Sequence, residues 1–319
     1  MSNAQPTSVA ASTVPSPPQS EIKEAVLVSD LINLPSGKEL DEVSAIRLAS
    51  SKPTRLIVFA GPVDCGKTTL LTSLYELFQW NTVCGHNFAG SLTLPAFEQR
   101  CYLARTASEN VAPQTPRTPY KGPDPYYLHL RTSPIEAPGM PIDFLFTDVS
   151  GEMFDHARNS TSECKELTFL KRSTHFVLLL DSEKAIRPGR WTMVQNSIDL
   201  LQSCIDCKML PSFCIVNIVW AKFDHFESNQ EKKENLEFRK EVARQFQAAF
   251  EHHIRLKFSE VAARPTLAPD LGFGKGVAEL YQGWINHCPQ IREMELQPLG
   301  SPGIRESEFF ALRNPVKLS

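Results

Sequence analysis

One run of residues has the spacing of a complete phosphate-binding loop. Residues 61–69 read Gly-Pro-Val-Asp-Cys-Gly-Lys-Thr-Thr, which fits the pattern GxxxxGK[ST]. In such a loop, backbone N–H groups and the start of the following helix surround the α- and β-phosphates of a nucleotide. We expect Lys67 to bridge the β- and γ-phosphates and act in catalysis, and Thr68 to offer its hydroxyl to Mg²⁺. The residues predicted to contact the nucleotide are Gly61, Val63, Asp64, Cys65, Gly66, Lys67, Thr68 and Thr69.

A second motif could complete the metal side of this site. An apolar run from Asp143 ends in Asp148, and Gly151 follows three residues later. A carboxylate at the end of a neighbouring strand can hold Mg²⁺ through water, so Asp148 is a predicted metal ligand. The N–H of Gly151 could contact a γ-phosphate, and the loop beyond it would then respond to that phosphate. The alternative is an aspartate that only ends a strand and caps a helix.

Strands and helices alternate around these motifs. Because apolar strands between helices are typical of a parallel sheet covered on both faces, the pattern predicts an α/β three-layer sandwich. Its sheet would have about six strands, one of them antiparallel. The predicted strands are 55–60, 126–131, 142–147, 175–181, 212–221 and 256–261, with 126–131 and 142–147 antiparallel neighbours. The predicted helices are 39–48, 69–79, 152–171, 191–208, 229–253 and 276–291.

Composition divides the chain and limits the classes of protein it can belong to. We predict a disordered tail at 1–20, an N-terminal extension at 21–53, a nucleotide-binding domain at 54–292 and a C-terminal extension at 293–319.

With 33 Lys and Arg against 36 Asp and Glu, no excess charge indicates nucleic-acid or membrane-surface binding. Since the sequence has no apolar run of membrane-spanning length and no secretory signal, we expect a cytoplasmic protein with reduced thiols.

The order of four motifs resembles that of the translation-factor-related and Ras-like GTPases. The motifs are GPVDCGKTT at 61–69, DVSGE at 148–152, AKFD at 221–224 and VAARP at 261–265. Within that class the chain is most similar to the prokaryotic double-GTPase group, over roughly residues 40–292. The resemblance implies GTP and Mg²⁺ as ligands, two switch loops and a setting in bacterial antiviral defence.

The resemblance also implies how a guanine base would be bound. Asp224 would accept hydrogen bonds from guanine N1–H and the exocyclic amine, which adenine cannot offer, while the stem of Lys222 would lie over the ring. Ala221 departs from the family pattern, which has an amide or hydroxyl residue there. Ala262 stands where the family's last motif gives a backbone N–H to guanine O6. The alternative for Lys222 and Asp224 is a pair of solvated loop charges.

Two further roles concern the switches. The first switch is expected between the helix at 69–79 and the strand at 126. Within it, Thr118 would coordinate Mg²⁺ and sense the γ-phosphate, and Thr115 is the alternative. Glu152 follows Gly151 where Ras-like proteins have a water-orienting glutamine, so it is a predicted catalytic residue. Its charge would repel the γ-phosphate, which predicts slow hydrolysis without a partner. A cation for the transition state could come from Arg100, Arg105, Arg117 or a second subunit.

We therefore predict a GTP-binding switch that hydrolyses GTP with Mg²⁺ and controls a partner protein. A nucleotide-state sensor with little hydrolysis and an ATP-utilising enzyme are the alternatives, and both a monomer and a homodimer stay open. Cys65 is a candidate reactive thiol because a helix N-terminus lowers a thiol pKa, although a bound nucleotide would shield it. Cys204 and Cys207 lack a second pair at zinc spacing and are interpreted as plain thiols.

Overall fold

The computed structural model describes residues 37–104 and 125–287, and one seven-stranded sheet runs through them. Its strands are β1 (Thr54–Ala60), β2 (His86–Gly90), β3 (Tyr126–Pro134), β4 (Ile142–Asp148), β5 (His175–Asp181), β6 (Ile215–Ala221) and β7 (Arg255–Glu260). Their order across the sheet is β2-β3-β4-β1-β5-β6-β7. All neighbours are parallel except at β3, which is antiparallel to both β2 and β4.

Helices cover both faces of this sheet. The longer ones are α1 (Glu42–Ser51), α2 (Lys67–Trp80), α3 (Leu94–Ala104), α4 (Gly151–Asn159), α7 (Arg190–Asp206), α9 (Lys232–Phe250) and α10 (Val277–Asn286). The short ones are α5 (Thr161–Glu166), α6 (Ser182–Ala185) and α8 (Asp224–Ser228), with 3₁₀ turns at Thr168–Arg172 and Pro269–Leu271. No helix among the described residues is both long and apolar enough to cross a membrane.

The sheet separates two apolar cores, and alternate residues of β1 point into each. Leu56 and Val58 belong to the core that α1, α4, α7 and α9 cover. Ile57 and Phe59 belong to the core beneath α2, α3 and α10. Since β1 is buried on both faces and lies near the middle of the sheet, the loop at its carboxyl end has a rigid support.

The predicted fold class is confirmed: an α/β sandwich with a mostly parallel sheet and one antiparallel strand. The expected strands are all present, but the count of about six falls one short because β2 was not predicted. The sequence of β2, His-Asn-Phe-Ala-Gly, has few β-forming residues, and its pairing with β3 shifts register between Phe88 and Gly90. This strand and α3 lie within the span where we expected a first switch.

The helical stretch predicted over 152–171 is present, but it is not one continuous helix. The chain forms α4, then α5, then a 3₁₀ turn, and the interruption falls at Ser160. The N–H of Ser160 donates to His156 O at the end of α4, and its hydroxyl accepts from the N–H of Glu163 in α5. A serine that ends one helix and caps the next divides a stretch whose polar composition alone looks continuous.

Other element ends moved by a few residues for similar local reasons. The helix predicted from 39 begins at Glu42, because Asp41 is its N-cap and its carboxylate accepts from Ser44 N at 2.8 Å. Hydrogen bonds from the side chain of Ser44 and from its N–H lower the pKa of Asp41. The strand predicted from 212 begins at Ile215, after a turn in which Cys214 N donates to Pro211 O. The proposed segments 1–20 and 293–319 lie outside the described residues.

Candidate nucleotide-binding site

The loops that carry the four sequence motifs lie at one edge of the sheet. They follow β1, β4, β6 and β7, which run in the same direction, so their carboxyl ends meet on the same side. Crevices at this edge are where open α/β sheets bind ligands. The fold therefore brings together motifs that are separated by up to about two hundred residues in the sequence.

The phosphate-binding loop has a backbone that other sequences would not readily adopt. Gly61, Asp64 and Gly66 have φ angles of 144°, 63° and 96°, which lie in the region that favours glycine. Helix α2 begins immediately after, at Lys67. Gly66 is the N-cap residue and makes no side-chain hydrogen bond to the first turn of α2, and the start of a helix is a place where an anion can bind.

Lys67 lies close over the loop that precedes it. Its ammonium donates to Gly61 O and to Pro62 O, each at 2.8 Å. Both acceptors are neutral carbonyls, so a phosphate oxygen would be a stronger partner for the same ammonium. Thr68 and Thr69 are half-buried in the first turn of α2, Val63 is half-buried and Asp64 is exposed.

The surroundings of Cys65 oppose the reactivity predicted for it. Its side chain is completely buried, and burial raises the pKa of the thiol despite the nearby ammonium of Lys67. The prediction counted the helix N-terminus, which favours a thiolate, but desolvation outweighs it. Cys65 instead packs in the core beside Gly61. A Cβ added to Gly61 would lie only 2.9 Å from the Cys65 sulfur.

The second motif touches the phosphate-binding loop directly. A Cβ added to Gly151 would lie 2.5 Å from Val63 N and 2.7 Å from Pro62 C, so no larger residue fits there. Gly151 begins α4, capped by Ser150, whose hydroxyl accepts from the N–H of Glu152 at 3.3 Å. Gly151 therefore lies directly against the backbone of the phosphate-binding loop.

Some of the residues predicted to bind Mg²⁺ or to form the first switch lie in the described part of the chain, and others do not. Asp148 is the last residue of β4 and pairs with Tyr126 across the sheet. Thr118, Thr115, Arg105 and Arg117 lie outside the described residues. Arg100 is described, and its guanidinium donates to Ala96 O and pairs with Glu39 at 2.7 Å.

The AKFD motif follows β6 and is anchored by neighbouring backbone and side chains. Lys222 has a φ of 54°, and its ammonium pairs with Asp181 at 3.1 Å and Glu183 at 2.9 Å. These carboxylates raise the pKa of Lys222 against the opposing effect of burial. The sequence did not flag Asp181, although an aspartate at the end of a buried strand was the signal that flagged Asp148.

Asp224 is buried rather than a solvated loop charge, since only 3% of its surface is exposed. Its Oδ2 accepts from the N–H groups of Thr266 and Leu267 at 3.0 and 3.2 Å. Among the described residues Oδ1 has no hydrogen-bond partner, so one oxygen can still accept from a ligand. The loop after β7 thus orients this carboxylate.

Ala262 does not offer the amide that was expected of it. Its N–H donates to Lys275 O at 2.9 Å, and Gly274 N donates to Ala263 O. The next amide, that of Ala263, has no partner within the described part of the chain. The N–H of Ala262 is therefore already paired with a backbone carbonyl, whereas that of Ala263 could still donate to a ligand.

Comparison with known proteins gives one extensive match. The family model described as Double-GTPase 2 matches residues 55–285, which include all four motifs. No curated protein sequence matches the chain.

Two solved structures show weaker likeness. Bacterial selenocysteine-specific elongation factor EF-Sec has a TM-score of 0.35 at 17% identity, over 73% of this chain and 28% of that one. Era in complex with MgGDPNP and a segment of 16S ribosomal RNA has a TM-score of 0.36 at 13% identity, over 80% of this chain and 60% of that one. The chain thus spans less than two thirds of either protein.

Proposed function

The chain belongs to the Double-GTPase 2 family, and from this premise we propose that it binds GTP at the edge formed by β1, β4, β6 and β7 and hydrolyses it with Mg²⁺. The observation that carries the proposal is the contact between Gly151 and the backbone of Pro62 and Val63. It supports the proposal because the motif expected to respond to a γ-phosphate adjoins the loop expected to hold the phosphates.

The residues present suit Mg²⁺. Thr68 offers a hydroxyl oxygen and Asp148 a carboxylate, and hard oxygen donors of this kind are the ligands that Mg²⁺ prefers. The described residues contain no cluster of three or more His, Cys, Asp or Glu side chains that could hold a metal. Mg²⁺ in such sites is commonly held by one or two protein groups together with phosphate oxygens, and it neutralises charge on those oxygens.

Other residues of the chain would contact the phosphates, the base and the attacking water. Lys67 would exchange its two carbonyl partners for phosphate oxygens, and the first amides of α2 would donate to the same phosphates. Asp224 Oδ1 would accept from guanine, with Ala263 N–H donating to its O6. Glu152, one residue after the Gly151 contact, is proposed to orient the attacking water.

Base selectivity tests the first half of the proposal. We expect the wild-type chain to bind GTP at least ~10-fold more tightly than ATP, because adenine lacks the donors that Asp224 accepts. Asp224→Asn should reduce this preference, and Asp199→Asn, an exposed change on α7, is the matched control. A wild-type preference for ATP would support an ATP-utilising enzyme instead and overturn the assignment.

Hydrolysis tests the second half. Single-turnover phosphate release from GTP should be slow for the wild type and slower for Glu152→Ala, with Glu163→Ala on α5 as the control. An equal rate for wild type and Glu152→Ala removes Glu152 from the mechanism. No release at all would leave a GTP-state sensor as the function.

The wider proposal is that GTP turnover controls a partner protein in bacterial antiviral defence. Its support is the family resemblance alone. A pull-down with the chain loaded with GTP or with GDP should recover a partner in only one of the two states. Equal recovery in both states would contradict a switch.

A further inference from the structure

Arg264 links the loop after β7 to the helix that begins at the phosphate site. Its guanidinium donates to the carboxylate of Glu76 on α2. The Glu76 side chain is 5% exposed and that of Arg264 21%, so the pair is largely shielded from solvent. The ring of Phe273 lies beside the guanidinium, at 5.1 Å from its carbon to the ring centroid.

This loop is also the one that presents the proposed base-contacting groups. The N–H of Ala263, one residue before Arg264, has no partner among the residues described. Two and three residues beyond Arg264, the amides of Thr266 and Leu267 donate to Asp224 Oδ2. Arg264 therefore lies, along the chain, between the N–H proposed to donate to guanine and the amides that orient Asp224.

The other end of the link lies on the phosphate helix. Glu76 belongs to α2, whose first residues are Lys67 and Thr68. The same loop touches α2 again at Gly274, where an added Cβ would lie 2.9 Å from Leu77 Cδ1. Binding of a nucleotide that reaches from α2 to this loop would depend on the distance between them, and the ion pair joins the two.

We infer that Arg264 is a positioning residue for the base: its ion pair with Glu76 holds the loop at 261–267 against α2 and thereby sets how strongly the chain prefers guanine to adenine. The inference rests on the proposed function. The side chain of Arg264 contacts Glu76 and Phe273, not the residues proposed to bind phosphate or Mg²⁺, so its loss should change selectivity for the base and leave phosphate binding in place.

The test is calorimetric titration of the full chain with GDP and with ADP. Arg264→Met keeps an apolar stem beside Phe273 and removes the charge. We expect its GDP affinity to fall ~10-fold and its ADP affinity to change less than about twofold, within the range measured for coupled contacts. Arg264→Lys retains the positive charge and should keep GDP affinity within about threefold of wild type.

A matched control separates positioning from general loss of stability. Arg172→Met breaks another part-buried ion pair, with Glu42, away from the base loop, and should lower stability without changing the ratio of ADP to GDP affinities. Glu76→Gln removes the charge on the other side of the Arg264–Glu76 ion pair. It should give the same ratio of ADP to GDP affinities as Arg264→Met.

The outcomes distinguish the two proposals. If the wild type does not prefer GDP to ADP, the proposed function itself fails. If the wild type prefers GDP and both Arg264→Met and Glu76→Gln keep the wild-type ratio, only the positioning role is overturned. Equal losses in Arg264→Lys and Arg264→Met would also overturn it, because charge would then not be what holds the loop.

Discussion

His175 should make the stability of the fold sensitive to mild acid. The residue lies at the start of β5 and its side chain is completely buried. Its Nδ1 lies 3.2 Å from Asn217 Oδ1, and since a carbonyl oxygen can only accept, Nδ1 carries the proton. Within the described residues Nε2 has no hydrogen-bond partner. Protonation would therefore place a charge in the core with one unpaired N–H.

Burial lowers the pKa of His175 from 6.5 to about 3, and the nearby His287, Arg55 and Lys257 act in the same direction. The unfolded chain then takes up a proton below pH 6.5 that the folded chain refuses. The contribution of neutral His175 to the free energy of unfolding is therefore fully present above pH 6.5 and is lost as the pH falls from 6.5 towards 3. At about pH 5, which is roughly 1.5 pH units below the unfolded-state value, the free energy of unfolding has fallen by about 2 kcal/mol.

Urea unfolding at about pH 7.5 and about pH 5 measures this loss. We expect His175→Phe, which keeps a ring but cannot titrate, to lose about 2 kcal/mol less than the wild type between these conditions. Asp143, whose pKa is lowered through its bonds to His129 and Arg131, is common to both proteins and titrates in a more acidic range. Equal losses in the two proteins would refute the reasoning, as would an imidazole of His175 that titrates near pH 6 by NMR.

Other contacts give shorter predictions. Gly151→Ala should weaken GDP binding at least ~10-fold with the circular dichroism spectrum retained, because its Cβ would meet the phosphate-loop backbone; unchanged affinity would mean that this contact opens freely. Lys222→Met leaves the buried carboxylate of Asp181 without its cation and should cost about 3 kcal/mol in urea unfolding. Gly276→Ala, with φ of 81° and a Cβ 2.0 Å from a carbonyl oxygen, should destabilise by more than ~1 kcal/mol. Cys65 should resist alkylation until the chain unfolds, as mass spectrometry can show.

Sequence reasoning succeeded where a local pattern also decides the tertiary structure. The run from Arg55 to Ala60 is apolar on both faces, which predicts a buried parallel strand, and β1 is one. The phosphate loop was predictable because glycines at Gly61 and Gly66 have few other uses at that spacing, and their φ angles require them.

It failed where the outcome depends on contacts between distant parts of the chain. The pKa of Cys65 follows burial beneath the loop, which the adjacent helix N-terminus does not indicate. The partner of the Ala262 amide is Lys275, across a turn with no recognisable motif. Arg264 and Glu76 are 188 residues apart, and no spacing rule relates them.

The contact at Gly151 restricts motion as well as residue type. The space between its Cα and the backbone of Pro62 and Val63 is too small for a methyl group, so α4 is already at its limit of approach to the phosphate loop. Displacement of α4 along this direction can only be outward. The contact therefore sets a steric limit on how closely α4 and the phosphate-binding loop can approach each other.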